Sequence, residues 1–146
     1  MPSSVLIALG SNLGDREWLL RRAIAELVHE IDVVRISSFM ETEPVDAPAG
    51  SRCFLNAVVA GHTGRPPSSV LATLLRIEAK LGRQRTIRNA PRFIDLDLIL
   101  YSAQLFRSKD LTLPHPRYLQ REFVLGPFRQ LGLAWRDPVT SASLSP

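Results

Sequence analysis

Asp95 and Asp97 stand two residues apart in the apolar run Phe93-Ile94-Asp95-Leu96-Asp97-Leu98-Ile99-Leu100. Along a strand successive side chains face opposite ways. The two carboxylates therefore share a face with their Cα atoms roughly 6.6–7 Å apart, and Leu96, Leu98 and Leu100 take the other, towards a core. Two carboxylates on one face repel, and burying them without a cation costs several kcal/mol or forces one to hold a proton. A hard divalent cation removes both problems; magnesium takes one or two carboxylates and leaves its other positions to water and phosphate oxygens. Just upstream lie Lys80, Arg83, Arg85, Arg88 and Arg92, with no acid between Glu78 and Asp95. Guanidinium groups grip phosphate bidentately, so a basic segment leading into a two-carboxylate strand has the composition of a metal–polyphosphate site. The same residues on a solvated strand and loop would be ordinary surface, and the spacing alone leaves both readings open.

These residues need elements to position them. Val5 to Leu9 is an apolar strand that ends in Gly10-Ser11-Asn12-Leu13-Gly14, a turn signal. This glycine-rich stretch lacks the Lys-Ser/Thr of a phosphate-binding Walker loop and is expected to pack beneath the site. Asp15 is a suitable N-cap for a helix whose apolar face is Leu20, Ile24, Leu27 and Ile31. A strand is expected over residues 34 to about 42, a loop over 43–52 and a third strand over 54–60. Pro66-Pro67-Ser68 opens a second helix with Val70, Leu74, Ile77 and Leu81 on one side, and Gly82 stops it. Residues 93–101 form a fourth strand. Short strand pieces near 105–106 and 111–113 and a short helix after Pro116 should follow, and the end beyond Asp137 should fray. The order strand, helix, strand, strand, helix, strand predicts an α+β fold, a ferredoxin-like βαββαβ core. Its antiparallel or mixed sheet is flanked by helices and followed by a short C-terminal extension.

The 146 residues fit one domain large enough to bury its own core. No apolar run approaches a membrane span, and Met1 to Leu9 lacks the basic start of a signal peptide. The single cysteine, Cys53, cannot form an internal disulfide, so a reducing, cytoplasmic location is expected. The formal charge is +4, and all but Lys80 and Lys109 of the 18 basic residues are arginine. That points either to phosphate ligands or to a GC-rich genome, and the clustering before Asp95 favours phosphate locally.

The run Arg88-Asn89-Ala90-Pro91-Arg92-Phe93-Ile94-Asp95-Leu96-Asp97-Leu98-Ile99 resembles the signature of the 6-hydroxymethyl-7,8-dihydropterin pyrophosphokinase family. Other segments resemble the same family in order. They are Ile7-Ala8-Leu9-Gly10-Ser11-Asn12-Leu13-Gly14, Glu41-Thr42-Glu43-Pro44-Val45, Phe54-Leu55-Asn56-Ala57-Val58 and Arg76-Ile77-Glu78 with Gly82-Arg83-Gln84-Arg85. Leu113-Pro114-His115-Pro116-Arg117 and Arg121-Glu122-Phe123-Val124-Leu125 complete the set. Asn89-Ala90 departs from the Trp-Gly of some relatives.

The resemblance implies a single catalytic domain over residues 1–146, in which a dihydropterin hydroxymethyl oxygen attacks the β-phosphorus of ATP and AMP leaves. It implies two Mg2+ ions held by Asp95 and Asp97, with ATP as co-substrate and Arg83, Arg92, Asp95 and Asp97 as the catalytic set. Thr42, Pro44, Val45, Phe54, Asn56 and Phe123 would line the pterin pocket, with the two phenylalanines stacking on the ring. Glu78, Arg83, Arg85, Arg92, Ile99, Thr112, His115 and Arg121 would contact ATP. The expected partners are these small molecules, with no nucleic acid or membrane, and the expected state is a monomer.

Two other readings fit parts of the sequence. A ferredoxin-like RNA-binding module would use the basic charge, but the chain lacks an RNP-type aromatic pattern. Another two-metal nucleotidyltransferase or nuclease would use the aspartates and arginines, but gives no role to Thr42, Asn56 and Phe123.

Overall fold

A computed structural model describes residues 2–43, 53–82 and 93–144. The chain runs β1 (Ser3–Ser11), α1 (Arg16–Glu30), β2 (Asp32–Ile36), β3 (Met40–Thr42), β4 (Phe54–Thr63), α2 (Pro67–Lys80) and β5 (Asp95–Tyr101). It continues through a short hairpin, β6 (Phe106–Arg107) and β7 (Thr112–Leu113), then a 3-10 turn (Tyr118–Gln120) and α3 (Glu122–Gln130). The main sheet has the order β2-β4-β1-β5, with β3 also on β4, and every pairing in it is antiparallel. This is the expected α+β arrangement. Among the described residues no helix is long and apolar enough to cross a membrane.

Each helix forms for a local reason. Asp15 caps α1 by accepting from the Trp18 N–H at 3.1 Å, satisfying a donor the helix itself leaves open. Pro67 starts α2, where a missing N–H costs nothing, and Gly82 ends it at φ +104. Helices α1 and α2 cover one face of the sheet, enclosing Val5, Ile7, Leu9, Leu20, Leu27, Val59, Leu74, Ile77, Leu96 and Leu98. The 3-10 turn and α3 cover the other face through Tyr118, Val124 and Phe128, which pack on Leu6, Ala8, Val58 and Ile99.

Three expectations needed correction. The strand expected over 34–42 is two strands. Between them the Ser37 hydroxyl accepts the Val58 N–H at 2.9 Å, replacing a backbone carbonyl in the ladder and letting one extra residue bulge out. Leu100 does not share a face with Leu96 and Leu98. The register of β5 on β1 shifts between Leu6 and Ile7, so Ile99 is an extra residue and Leu100 turns to the α3 side. The short helix expected after Pro116 is present as the 3-10 turn and the nine-residue α3, which carries Gly126 and Pro127 inside it and is held by burying Val124 and Phe128.

Residues 137–144, expected to fray, are tied down. The Asp137 carboxylate accepts from the Tyr118 hydroxyl, from the Thr140 N–H at 2.7 Å and hydroxyl at 2.9 Å, and from the Val139 N–H at 3.2 Å. Leu144 N–H returns to the Trp135 carbonyl at 2.7 Å. Burial works against the charged Asp137 carboxyl, but the Tyr118, Thr140 and Val139 hydrogen bonds outweigh it and hold its pKa below the ordinary value. A carboxyl lowered in the folded state contributes stability that is complete above its unfolded pKa, near 4, and is lost as pH falls through the folded one. Asp137→Asn should therefore cost about 1–2 kcal/mol in urea unfolding at pH 7. The deficit should shrink steadily below about pH 4; a deficit unchanged with pH would refute the charge-based account.

Candidate active site

The register of the sheet assembles the site. In one row Met40, Asn56, Gly10 and Asp95 are successive cross-strand partners from β3 through β4 and β1 to β5. In the next row Val58, Ala8 and Asp97 stand side by side. Two strand spacings put the Asn56 and Asp95 Cα atoms about 10 Å apart. Where the central strand passes between the amide and the carboxylates it presents Ala8 and Gly10 on this face, so the floor there is low. A Cβ on Gly10 would lie 2.8 Å from Asn56 Oδ1, so glycine there lets the Asn56 side chain lie across β1.

A cavity of about 880 Å³ opens above this floor. Its walls are Thr42, Glu43, Phe54 and Asn56 on one side and Asp95 and Asp97 on the other. Arg117, Gln120, Arg121, Glu122 and Phe123 approach from the 3-10 turn and the start of α3. Asn56 is buried, and its Nδ2 donates to Thr42 Oγ1 at 2.5 Å. Phe54 on the sheet and Phe123 on α3 present aromatic surface from two elements, and the Arg121 guanidinium lies 5.4 Å from the Phe123 ring centre. One wall therefore offers an aromatic ring with an amide and the opposite wall carboxylates, while the paired Arg121 and Phe123 approach from the start of α3.

Asp95 and Asp97 are half-buried on the same face, as their spacing requires. Among the described residues no three or more His, Cys, Asp or Glu side chains converge as a metal cage. Two carboxylates at the edge of a water-accessible cavity suit an ion that keeps waters and binds phosphate oxygens, so this donor set fits Mg2+.

His115 is anchored to β5. Its N–H donates to the Ile99 carbonyl at 2.9 Å, and its Nδ1 accepts from the Arg117 N–H at 3.3 Å. Burial pushes its pKa down; Arg121 and Arg117 act in the same direction and Asp97 opposes them. The imidazole is therefore biased towards its neutral form.

Of the residues singled out from sequence, the cavity gathers Thr42, Phe54, Asn56, Asp95, Asp97, Arg121 and Phe123. Four others do not line it. Ile99 is buried under α3 and meets His115 through its backbone, while Thr112 sits on β7 opposite Arg107. His115 is tied to β5 by its backbone N–H. Glu78 is buried on α2, where its carboxylate accepts the Leu96 N–H at 2.8 Å, bracing edge strand β5 between the two aspartates. Pro44, Val45, Arg83, Arg85 and Arg92 lie outside the described residues. Lys80, counted from sequence with the phosphate-facing group, instead reaches Glu26 on α1 at 2.6 Å.

Ala8, Leu9, Glu43, Arg117, Gln120 and Glu122 line the cavity without having been singled out from sequence, whereas Gly10, expected in a turn packed beneath the site, forms part of its floor. The usable sequence cue for Gly10 was the glycine-rich turn signal that ends an apolar strand; Gln120 carried none.

The family described as 7,8-dihydro-6-hydroxymethylpterin-pyrophosphokinase (HPPK) matches residues 6–132. The chain belongs to the HPPK family. It is thereby a transferase of folate biosynthesis, a pyrophosphokinase that uses a nucleotide and small-molecule substrates. A 2-amino-4-hydroxy-6-hydroxymethyldihydropteridine pyrophosphokinase of Bacillus subtilis (strain 168) is 39% identical over 145 residues, covering 97% of this chain and 86% of that protein. The mitochondrial folate synthesis bifunctional protein of Pisum sativum is 41% identical over 128 residues, covering 87% of this chain but only 25% of its own length. The crystal structure of Plasmodium falciparum HPPK-DHPS superposes with a TM-score of 0.75 at 12% identity, over 99% of this chain and 44% of that one. That likeness shows a shared fold.

Proposed function

We propose that this HPPK transfers the terminal pyrophosphoryl group of ATP to the hydroxymethyl oxygen of 6-hydroxymethyl-7,8-dihydropterin, releasing AMP. The observation that carries the reading is the sheet row that sets buried Asn56 and half-buried Asp95 on either side of Gly10 beneath one cavity. An amide presents a donor and an acceptor together, matching the edge of a pterin ring, and Phe54 and Phe123 offer faces for stacking. The aromatic end would hold the pterin with its hydroxymethyl group directed along the floor towards the carboxylates.

At that end Asp95 and Asp97 would hold two Mg2+ ions. Bound there, the ions would supply charge neutralisation at the attacking and leaving oxygens of an in-line displacement. Arg121 and Arg117 would orient the triphosphate, and Arg83, Arg85 and Arg92 would add guanidinium charge to it. His115, with Thr112 and the Ile99 backbone, would border the nucleotide, and Glu78 would keep β5 in place. Phosphoryl transfer asks a protein mainly for positioning and electrostatics, and these residues provide both. The hydroxymethyl oxygen bonds to the β-phosphorus as the bridge to the α-phosphate breaks, and AMP departs with the bridging oxygen. We further infer action as a monomer in the cytoplasm.

Chromatographic separation of the nucleotides after reaction with ATP, Mg2+ and the pterin tests this. AMP should appear in equal amount with a diphosphorylated pterin. ADP with a monophosphorylated pterin would overturn the reading.

A further inference from the structure

We propose that Arg16 is a positioning residue for the pterin end of the site, tying β3 to the start of β4 from outside the cavity. The proposal rests on the pterin reading of Thr42, Phe54 and Asn56 and extends it to a residue that touches no substrate. Arg16 is the first residue of α1, immediately after its cap. Its side chain is only 21% exposed. One guanidinium nitrogen, Nη1, donates to the Cys53 carbonyl at 2.9 Å, and the other, Nη2, meets Glu41 Oε1 at 2.5 Å.

One acceptor lies on β3 and the other immediately before β4. Glu41 precedes Thr42 on β3, and Cys53 precedes Phe54 on β4. Thr42 and Phe54 are cross-strand partners, and both line the cavity. Strand β3 has only three residues and, among the described strands, pairs with β4 alone. A ladder this short is weak by itself. The Asn56-to-Thr42 hydrogen bond spans that same ladder, so the orientation of the Asn56 amide depends on how firmly β3 is held.

A planar guanidinium suits this task because its fork meets a side-chain carboxylate and a main-chain carbonyl at once; an ammonium is a single point charge on a flexible stem. Arg16 reaches only β3 and the residue before β4 among the described residues, whereas Asp95 and Asp97 hang from β5 and Arg117 and Arg121 from the segment leading into α3. Loss of the tie should therefore weaken pterin binding and spare the nucleotide.

The test measures separate dissociation constants for 6-hydroxymethyl-7,8-dihydropterin and for a non-hydrolysable ATP analogue with Mg2+, together with thermal midpoints. The set is wild type, Arg16→Ala, Arg16→Lys, Glu41→Gln and Asn56→Ala. Arg16→Ala should raise the pterin constant about tenfold and leave the ATP-analogue constant within about twofold. Arg16→Lys and Glu41→Gln, which each keep part of the tie and the side-chain volume, should fall between wild type and Arg16→Ala. Unchanged pterin binding in Arg16→Ala, with weakened binding in Asn56→Ala, overturns the positioning role and leaves the pocket standing. Equal loss of both ligands with a lowered midpoint across the Arg16 and Glu41 variants also overturns it, in favour of general destabilisation. Pterin binding indifferent to Asn56→Ala overturns the pocket reading and the inference with it.

Discussion

Asp97→Ala should lower turnover at least about a thousandfold while the protein stays folded. Asp97 points into the cavity, and its removal leaves the apolar core on both sides of the sheet untouched. Its backbone still pairs with Ala8 on the central strand. Substitution also relieves repulsion from Asp95 two residues away, so the thermal midpoint should be unchanged or slightly higher. The loss should fall on kcat, because charge neutralisation matters most where negative charge builds up in the transition state. Asp97→Asn, which keeps shape and loses charge, should behave almost as badly. Steady-state kinetics across a Mg2+ titration checks this. A variant within tenfold of wild type at saturating Mg2+ would remove Asp97 from the ligand set.

Asn56→Ala should raise the pterin KM about a hundredfold and leave the ATP KM nearly unchanged. The substrate's polar ring edge would lose its matched donor and acceptor, and a buried polar edge without partners is costly. The selectivity follows from the distance across the floor, because Asn56 and the carboxylates are separated by the width of β1. The protein should stay stable, since Thr42 borders the cavity and can bond to water when Asn56 is gone. Separate KM values for the two substrates decide the matter; a matched rise in both would show that Asn56 supports the whole site.

Much of the site is legible before folding, because some signals are local. The period of two along β5 places Asp95 and Asp97 on one face wherever that strand lies. Asp15 as a cap, Pro67 as a helix start and Gly82 as a stop depend only on neighbours a few residues away. Local reading fails where a residue's partner is distant. Ser37 divides a strand by bonding across to Val58, and Ile99 reverses the facing of Leu100 through a shift of register against β1. Asp137 anchors a tail that carries no periodicity, through the hydroxyl of Tyr118.

The amino-acid order alone therefore determined the kinds of group present: a carboxylate pair, an arginine-rich approach, an amide among aromatics, and the βαββαβ sequence that carries them. Tertiary structure decided which of them meet. It set Asn56 and Asp95 on either side of Gly10, turned Lys80 away to Glu26, buried Glu78 behind β5 and brought Arg16 across to Glu41 and Cys53. The reason is physical. Side-chain facing and caps are properties of a few consecutive residues, whereas register and packing are fixed by contacts between segments far apart in the chain, each chosen by the burial of the whole core.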